Sequence, residues 1–182
     1  RVLYEQVLAK VKVVYKTDLN LSNGIDLGLN LLADRIIAVL ISNYSRKELL
    51  RLCLYDYPVV EDYLYYHVLN VTIISLEIGI GLGYKNNQLN ELENGALFHD
   101  IGIIRYLNII NMPKKLSDEE FKTIKEHPVV GSDLLSNYSK DLGQKVFEIV
   151  RQEHERADGS GYPLGLKGSD TSECAQIVAV AD

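Results

Sequence analysis

The sequence is short of several things, and each shortage excludes something. Only two of its 182 residues are cysteine, Cys53 and Cys174. They are too few and too far apart in sequence for a disulfide framework, so two unpaired thiols in a reducing cytoplasm are expected. No uninterrupted apolar run reaches the roughly 18 residues a membrane span needs, because Asp34 and Arg35 cut one candidate stretch and Glu77 the other. No signal-peptide pattern opens the chain. Positive charge is scarce as well: 19 Lys and Arg face 25 Asp and Glu, for a net charge of −6. Duplex nucleic acid, which demands a basic face to release counterions, is therefore not an expected partner. A small anionic ligand remains admissible where something local supplies positive charge. Alternating β-branched runs are few, and there is no internal repeat or low-complexity tract.

What is present is 47% apolar residues in a length that suits one compact domain, large enough to bury about two-thirds of its unfolded surface. Apolar residues recur at three- and four-residue spacing, so the expected fold class is all-α. Helices are expected at 1–16, 24–44, 46–54, 60–83, 87–101, 117–136, 141–155 and 172–182. Ser117 followed by Glu120 has the form of a capping box, and Gly102 is placed where a helix could end in a left-handed cap. Residues 156–171 contain four glycines and a proline, which makes a loop, and one far longer than the median of about 4–6 residues. The chain starts at Arg1 rather than Met and stops at Asp182 after an apolar run, so it reads as a fragment, truncated at the C-terminal end of its domain. Residues 1–44 are expected to form an upstream helical segment and 45–182 the functional domain.

Ionisable residues fall where apolar stripes lead. His67 lies between Leu64, Val71 and Ile74; Leu89, Leu92 and Ala96 lead to His99 and Asp100; Ile124, Gly131 and Leu134 bracket His127. Val146, Ile149 and Val150 run into Glu153 and His154, and Ile177, Val178 and Ala181 into Asp182. Burying an unpaired charge costs several kcal/mol or more, so carboxylates continuing separate stripes need a common positive partner. A metal cluster meets that need. Four imidazoles with two or three carboxylates suit iron, manganese, zinc or nickel and are too nitrogen-rich for calcium or magnesium. Singly, each residue has an ordinary reading: a lone His67 is commonly a hydrogen-bonded core histidine, His127 an exposed residue beside a helix break, and Asp182 a frayed terminus. All four histidines lying on such stripes, three of them next to an acid in sequence, favours the cluster.

These residues resemble a known family. His99-Asp100 is the signature dipeptide of the HD superfamily of metal-dependent phosphohydrolases. The segment Asp158-Gly-Ser-Gly-Tyr-Pro-Leu-Gly-Leu-Lys-Gly168 is similar to the signature loop of its HD-GYP branch. His154-Glu155-Arg156, Val180-Ala181-Asp182, Tyr66-His67-Val68-Leu69-Asn70-Val71 and Lys125-Glu126-His127-Pro128 extend the similarity over about residues 47–182. The resemblance implies an HD-domain helical bundle that holds two or three divalent ions, commonly iron or manganese, and hydrolyses cyclic di-GMP in bacterial signalling, with further domains or partner proteins. It implies His67, His99, Asp100, His127, His154 and Asp182 as ligands, with Asp100 bridging and a metal-bridging hydroxide attacking phosphorus. Tyr162, Gly161, Lys167 and Arg156 would line the substrate side.

Three departures bear on activity. Ile103 stands where the family usually has a lysine reaching the scissile phosphate, and losing one such donor typically costs about 10²–10³ in rate. Glu153 replaces the first of two consecutive histidines, yet a glutamate can still ligate. Tyr63 stands where trinuclear members carry a glutamate, which favours two metals. The alternatives to a cyclic di-GMP phosphodiesterase are a degenerate sensor that binds metal or dinucleotide without turnover, and a phosphohydrolase acting on other nucleotides.

Overall fold

The computed structural model describes residues 2–16, 42, 45–53, 62–138 and 142–182. Its helices are α1 (Val2–Lys16), α2 (Arg46–Cys53), α3 (Tyr63–Gly81), α4 (Asn86–Phe98), α5 (Leu107–Ile110), α6 (Asp118–Ile124), α7 (His127–Tyr138), α8 (Gln144–Gln152) and α9 (Glu173–Ala181). A 3-10 helix, Ile101–Tyr106, joins α4 to α5, and a second one, Gly168–Asp170, precedes α9. The described residues contain no strand, only an isolated antiparallel bridge between Asp158 and Lys167.

The organising element is α3. It is apolar around its circumference, as a helix enclosed on all sides must be, and α1, α2, α4 and α9 pack against it. By length and mean hydropathy this 19-residue helix could cross a membrane, but 67% of its apolar window is buried inside the bundle, as in the core helix of a folded domain. It ends at Gly81 with Tyr84 N–H donating to the Gly79 carbonyl and Gly83 N–H to that of Ile80, the paired bonds of a Schellman cap. Next, α4 packs between α3 and α8, with α7 beyond α8. One apolar cluster joins Val7, Leu8 and Val11 of α1 to Val68 and Leu69 of α3 and Phe98 of α4. A second joins Val71, Leu92, Ala96, Ile149 and Val178. Each fully buried Leu, Ile or Phe here contributes about 1.5–3 kcal/mol.

The first helix belongs to this same core. Tyr4 Oη donates to Asn70 Oδ1 at 2.6 Å, Tyr15 Oη donates to the Leu97 carbonyl at 2.8 Å, and Lys12 pairs with Asp62 at 2.6 Å. The helix expected at 24–44 lies outside the described residues except for Ser42.

Two expected elements differ in detail. The stretch 117–136 is two helices, because the backbone breaks at Lys125-Glu126 and α7 restarts at His127, with Pro128 in its first turn, where a missing N–H leaves no bond unmade. The Ser117–Glu120 capping box is present, with Glu120 N–H donating to Ser117 Oγ at 3.2 Å and Ser117 N–H to Glu120 Oε2 at 2.9 Å. Gly102 is not a left-handed cap, since positive φ occurs at Gly83, Gly159, Gly165 and Gly168 instead. The helix 87–101 ends at Phe98, and Gly102 serves a close approach. A Cβ there would overlap the His127 carbonyl oxygen and lie 2.8 Å from Gly131 N.

Backbone on backbone leaves no flexible side chain to yield. Gly102→Ala is therefore expected to lower unfolding free energy by about 3 kcal/mol. Urea titration checks this, and a change below about 0.5 kcal/mol, the size usual for surface substitutions, would show that the two segments separate freely.

Candidate metal centre

Helix ends deliver most of the site. His67 projects from the second turn of α3, whereas His99 and Asp100 follow the end of α4, His127 opens α7, Glu153 and His154 follow α8, and Asp182 follows α9. Two overlapping groups result. One is His67, His99 and Asp100; the other is Asp100, His127, Glu153 and His154, and within each group the ligand atoms lie within 4.8 Å of one another.

Asp100 divides its carboxylate between them. Its Oδ2 is 3.5 Å from both His67 Nε2 and His99 Nε2, whereas its Oδ1 is 3.4 Å from His127 Nε2. Asp182 joins the first group through Oδ1, 2.9 Å from His67 Nε2 and 3.9 Å from His99 Nε2. Glu153 completes the second through Oε1, 3.3 Å from His127 Nε2 and 3.5 Å from His154 Nε2. All seven residues expected at a metal site thus meet in one place.

The backbone sets which ring nitrogens face inward. His99 Nδ1 lies 2.7 Å from the Ala96 carbonyl and His127 Nδ1 lies 2.8 Å from that of Ile124. A carbonyl oxygen only accepts, so Nδ1 carries the proton and Nε2 turns its lone pair toward the cluster. Both side chains are buried, His99 completely.

Protonation follows from burial and charge. Burial lowers His154 to about 4, with repulsion from His127 adding to it, and burial also lowers His127. For His67 burial pulls down, but the bond to Asp182 and the charge of Asp100 outweigh it and the pKa rises. That same bond, more than any other contact, brings Asp182 down to about 2. Burial pushes Glu153 far above the usual carboxylate range.

The donor set fits divalent cations. Glu153 is buried, yet its Oε2 has no hydrogen-bond partner among the described residues, an uncompensated lone-pair site of a kind that native structures rarely leave unexplained. Four imidazoles and three carboxylates, one of them the shared Asp100, suit divalent cations in ligand type.

The glycine loop closes over one flank. Tyr162 stacks on His154, with ring centroids 4.7 Å apart and planes at 23°, and meets His127 edge-on at 6.4 Å. A residue that sequence reasoning missed holds this loop. Buried Glu155 accepts from Leu164 N–H at 2.6 Å and Leu166 N–H at 2.8 Å, one oxygen each. Gly161 is required by packing, since a Cβ would collide with the backbone of Glu155 and Arg156. Arg156 is exposed beside a cleft of about 430 Å³ shared with Gln176 and Val180, and Lys167 is exposed with its stem across Gly159. Lys125 was also missed as a cation: its Nζ sits 5.1 Å from the Tyr162 ring centroid. On the opposite flank Tyr63 stacks on His67 at 5.7 Å and 15°. Ile103 is buried and apolar.

Comparison with known proteins agrees with this geometry. A family model described as HD domain matches residues 34–182. The cyclic di-GMP phosphodiesterase response regulator RpfG of Xanthomonas campestris pv. campestris is 39% identical over 102 residues, 56% of this chain and 27% of that protein. A cyclic di-GMP phosphodiesterase of Thermotoga maritima is 38% identical over 117 residues, 64% of this chain and 32% of that protein. The chain thus spans about a third or less of these relatives. Among solved structures, Bd1817, an HDG"Y"P protein from Bdellovibrio bacteriovorus, superposes with a TM-score of 0.75 at 21% identity, covering 98% of this chain and 56% of that one, a likeness of fold. With its His99-Asp100 pair at the centre of the cluster and its Gly-Tyr-Pro loop at the flank, the chain belongs to the HD domain family.

Proposed function

We propose that this chain is the catalytic module of a bacterial, cytoplasmic phosphodiesterase that hydrolyses cyclic di-GMP with two divalent ions, iron or manganese suiting the donors best and zinc or nickel being admissible. The observation that carries it is the division of Asp100 between two histidine–carboxylate groups. The names of the two curated relatives support the substrate. The module would work alongside further signalling domains or partners, as its short span of those relatives suits.

In this reading His67, His99 and Asp182 would hold one ion and His127, Glu153 and His154 the other, with Asp100 common to both groups. When bound, such ions activate water near neutral pH and offset the charge on a phosphoryl group. The chain's own residues do the rest. The Ala96 and Ile124 carbonyls keep two imidazoles in the ligating tautomer, and burial keeps His127 and His154 unprotonated. Tyr162 and Gly161 shape the substrate flank, Tyr162 screening His154 from water. Arg156 and Lys167 stand at the loop's outer edge as cations for the remainder of a dinucleotide. Ile103 favours a second reading, a sensor that binds without turnover, because a buried isoleucine neither donates nor carries charge.

Purified anaerobically, the chain is expected to carry two metal ions and to release linear dinucleotide or GMP from cyclic di-GMP. Asp100→Ala should lose metal and about a hundredfold or more in rate, the upper end of what even an outer-shell change costs. Two bound ions without turnover of cyclic di-GMP would overturn the phosphodiesterase reading, and no bound ion would overturn the metal site together with the enzyme reading. If turnover is slow, Ile103→Lys is expected to raise it about 10²-fold.

Acid should act on the metal-free fold through its buried histidines. His154 and His127 have folded pKa values below the unfolded one, so their contribution is present above about 6.5 and lost as pH falls, for His154 toward about 4. His67, shifted up, acts oppositely: its contribution is present below the unfolded pKa and lost as pH rises through the folded one. Glu153, raised by burial, acts against His154 across this window, and the His67 change lies above it, so the measurement is a difference: between pH 6.5 and 4 the Tm of metal-free His154→Gln is expected to fall less, or rise more, than that of metal-free wild type. A profile identical in both proteins would contradict the assigned shifts.

A further inference from the structure

The geometry points to Lys125 as the residue that receives a phosphate oxygen of the substrate, an assignment that rests on the phosphodiesterase reading for its ligand class but not for its test. Lysine side chains ordinarily extend into water, where the ammonium is fully hydrated. Lys125 is instead half-buried, with Nζ 4.8 Å from the Phe121 ring centroid and 5.1 Å from that of Tyr162. The Phe121 contact is an ordinary pairing one helical turn back. The Tyr162 contact is not local: it joins the α6–α7 break to the glycine loop, and the same Tyr162 ring stacks on His154 of the metal cluster. The ammonium is therefore held at the rim of the cluster by two aromatic faces, which attract a cation through the ring quadrupole.

Its charge is not consumed there. Among the described residues, lysine ion pairs form between Lys12 and Asp62, Lys114 and Glu120, and Lys145 and Glu91. Among the same described residues Lys125 forms no such ion pair. A cation–π contact is weaker than a conventional hydrogen bond and the ammonium carries three N–H donors, so donor capacity remains for an anion. Ile103 offers no cation on the Asp100 side, and Arg156 and Lys167 are exposed on the outer loop. A side chain already confined between two rings loses less rotamer freedom on binding, which favours it as a phosphate contact. The ligand class is a phosphodiester or inorganic phosphate monoanion or dianion, met by a point charge.

The alternative role is an anchor that merely fixes Tyr162, and the test separates the two. Manganese-loaded wild type, Lys125→Met and Lys125→Arg are titrated calorimetrically with inorganic phosphate and with cyclic di-GMP at low and high salt, with metal content and Tm measured on each. Lys125→Met is expected to weaken both ligands by about tenfold, the loss of one charge-assisted contact, and to flatten the salt dependence. Lys125→Arg should restore most of the affinity, with metal content and Tm unchanged. Equal phosphate affinity and salt dependence in Lys125→Met and wild type would overturn the assignment. So would parallel losses in the Met and Arg variants with a lowered Tm. Should wild type bind phosphate but neither bind nor cleave cyclic di-GMP, the dinucleotide reading fails while the phosphate titrations still decide on Lys125.

Discussion

The carboxylate of Asp100 is the constraint on which the rest of the molecule turns. It is largely enclosed, it is negative, and three imidazoles from three different helices face it within about the same distance. Desolvating such a group is tolerated only where positive charge converges on it, and in this bundle most of the polar side chains that surround it come from places where helices begin or end. The ends of α4, α8 and α9 and the start of α7 meet there for this reason, and the tight contact of Gly102 with the His127 backbone is the packing that lets two of those ends come so close.

Around that centre the chain spends its irregular structure on aim. Glu155 uses both oxygens to hold the backbone of residues 164 and 166, which leaves Tyr162 against His154. Buried in this way, Glu155 acts on the loop while its neighbours Glu153 and His154 face the cluster, so three consecutive residues divide between support and site.

The site was more legible in the sequence than the fold around it. Apolar stripes that run into His67, Asp100, His154 and Asp182 expose a conflict between burial and charge that needs no tertiary information to notice. Other features depend on contacts between distant segments and leave no periodic trace. The break at Lys125-Glu126 interrupts a run whose spacing still fits one helix. Gly102 looks like a cap because glycine satisfies both a left-handed turn and a close approach, and only the neighbouring His127 carbonyl distinguishes them. Lys125 sits among other charged residues of an exposed segment, and nothing local reveals the Tyr162 ring above it. Glu155 reads as part of a motif, whereas its partners are backbone amides that no side-chain pattern encodes.

The position of α1 bears on where this unit can be cut. The family match begins at residue 34, yet Tyr15 donates its hydroxyl to the carbonyl of Leu97, two residues before His99, and Leu8 lies in the same cluster as Leu69 and Phe98. A piece trimmed to the matched span would leave that carbonyl and the Tyr65–Tyr66 face of α3 without their cover, and the first thing to lose its footing would be the helix end that carries His99 and Asp100.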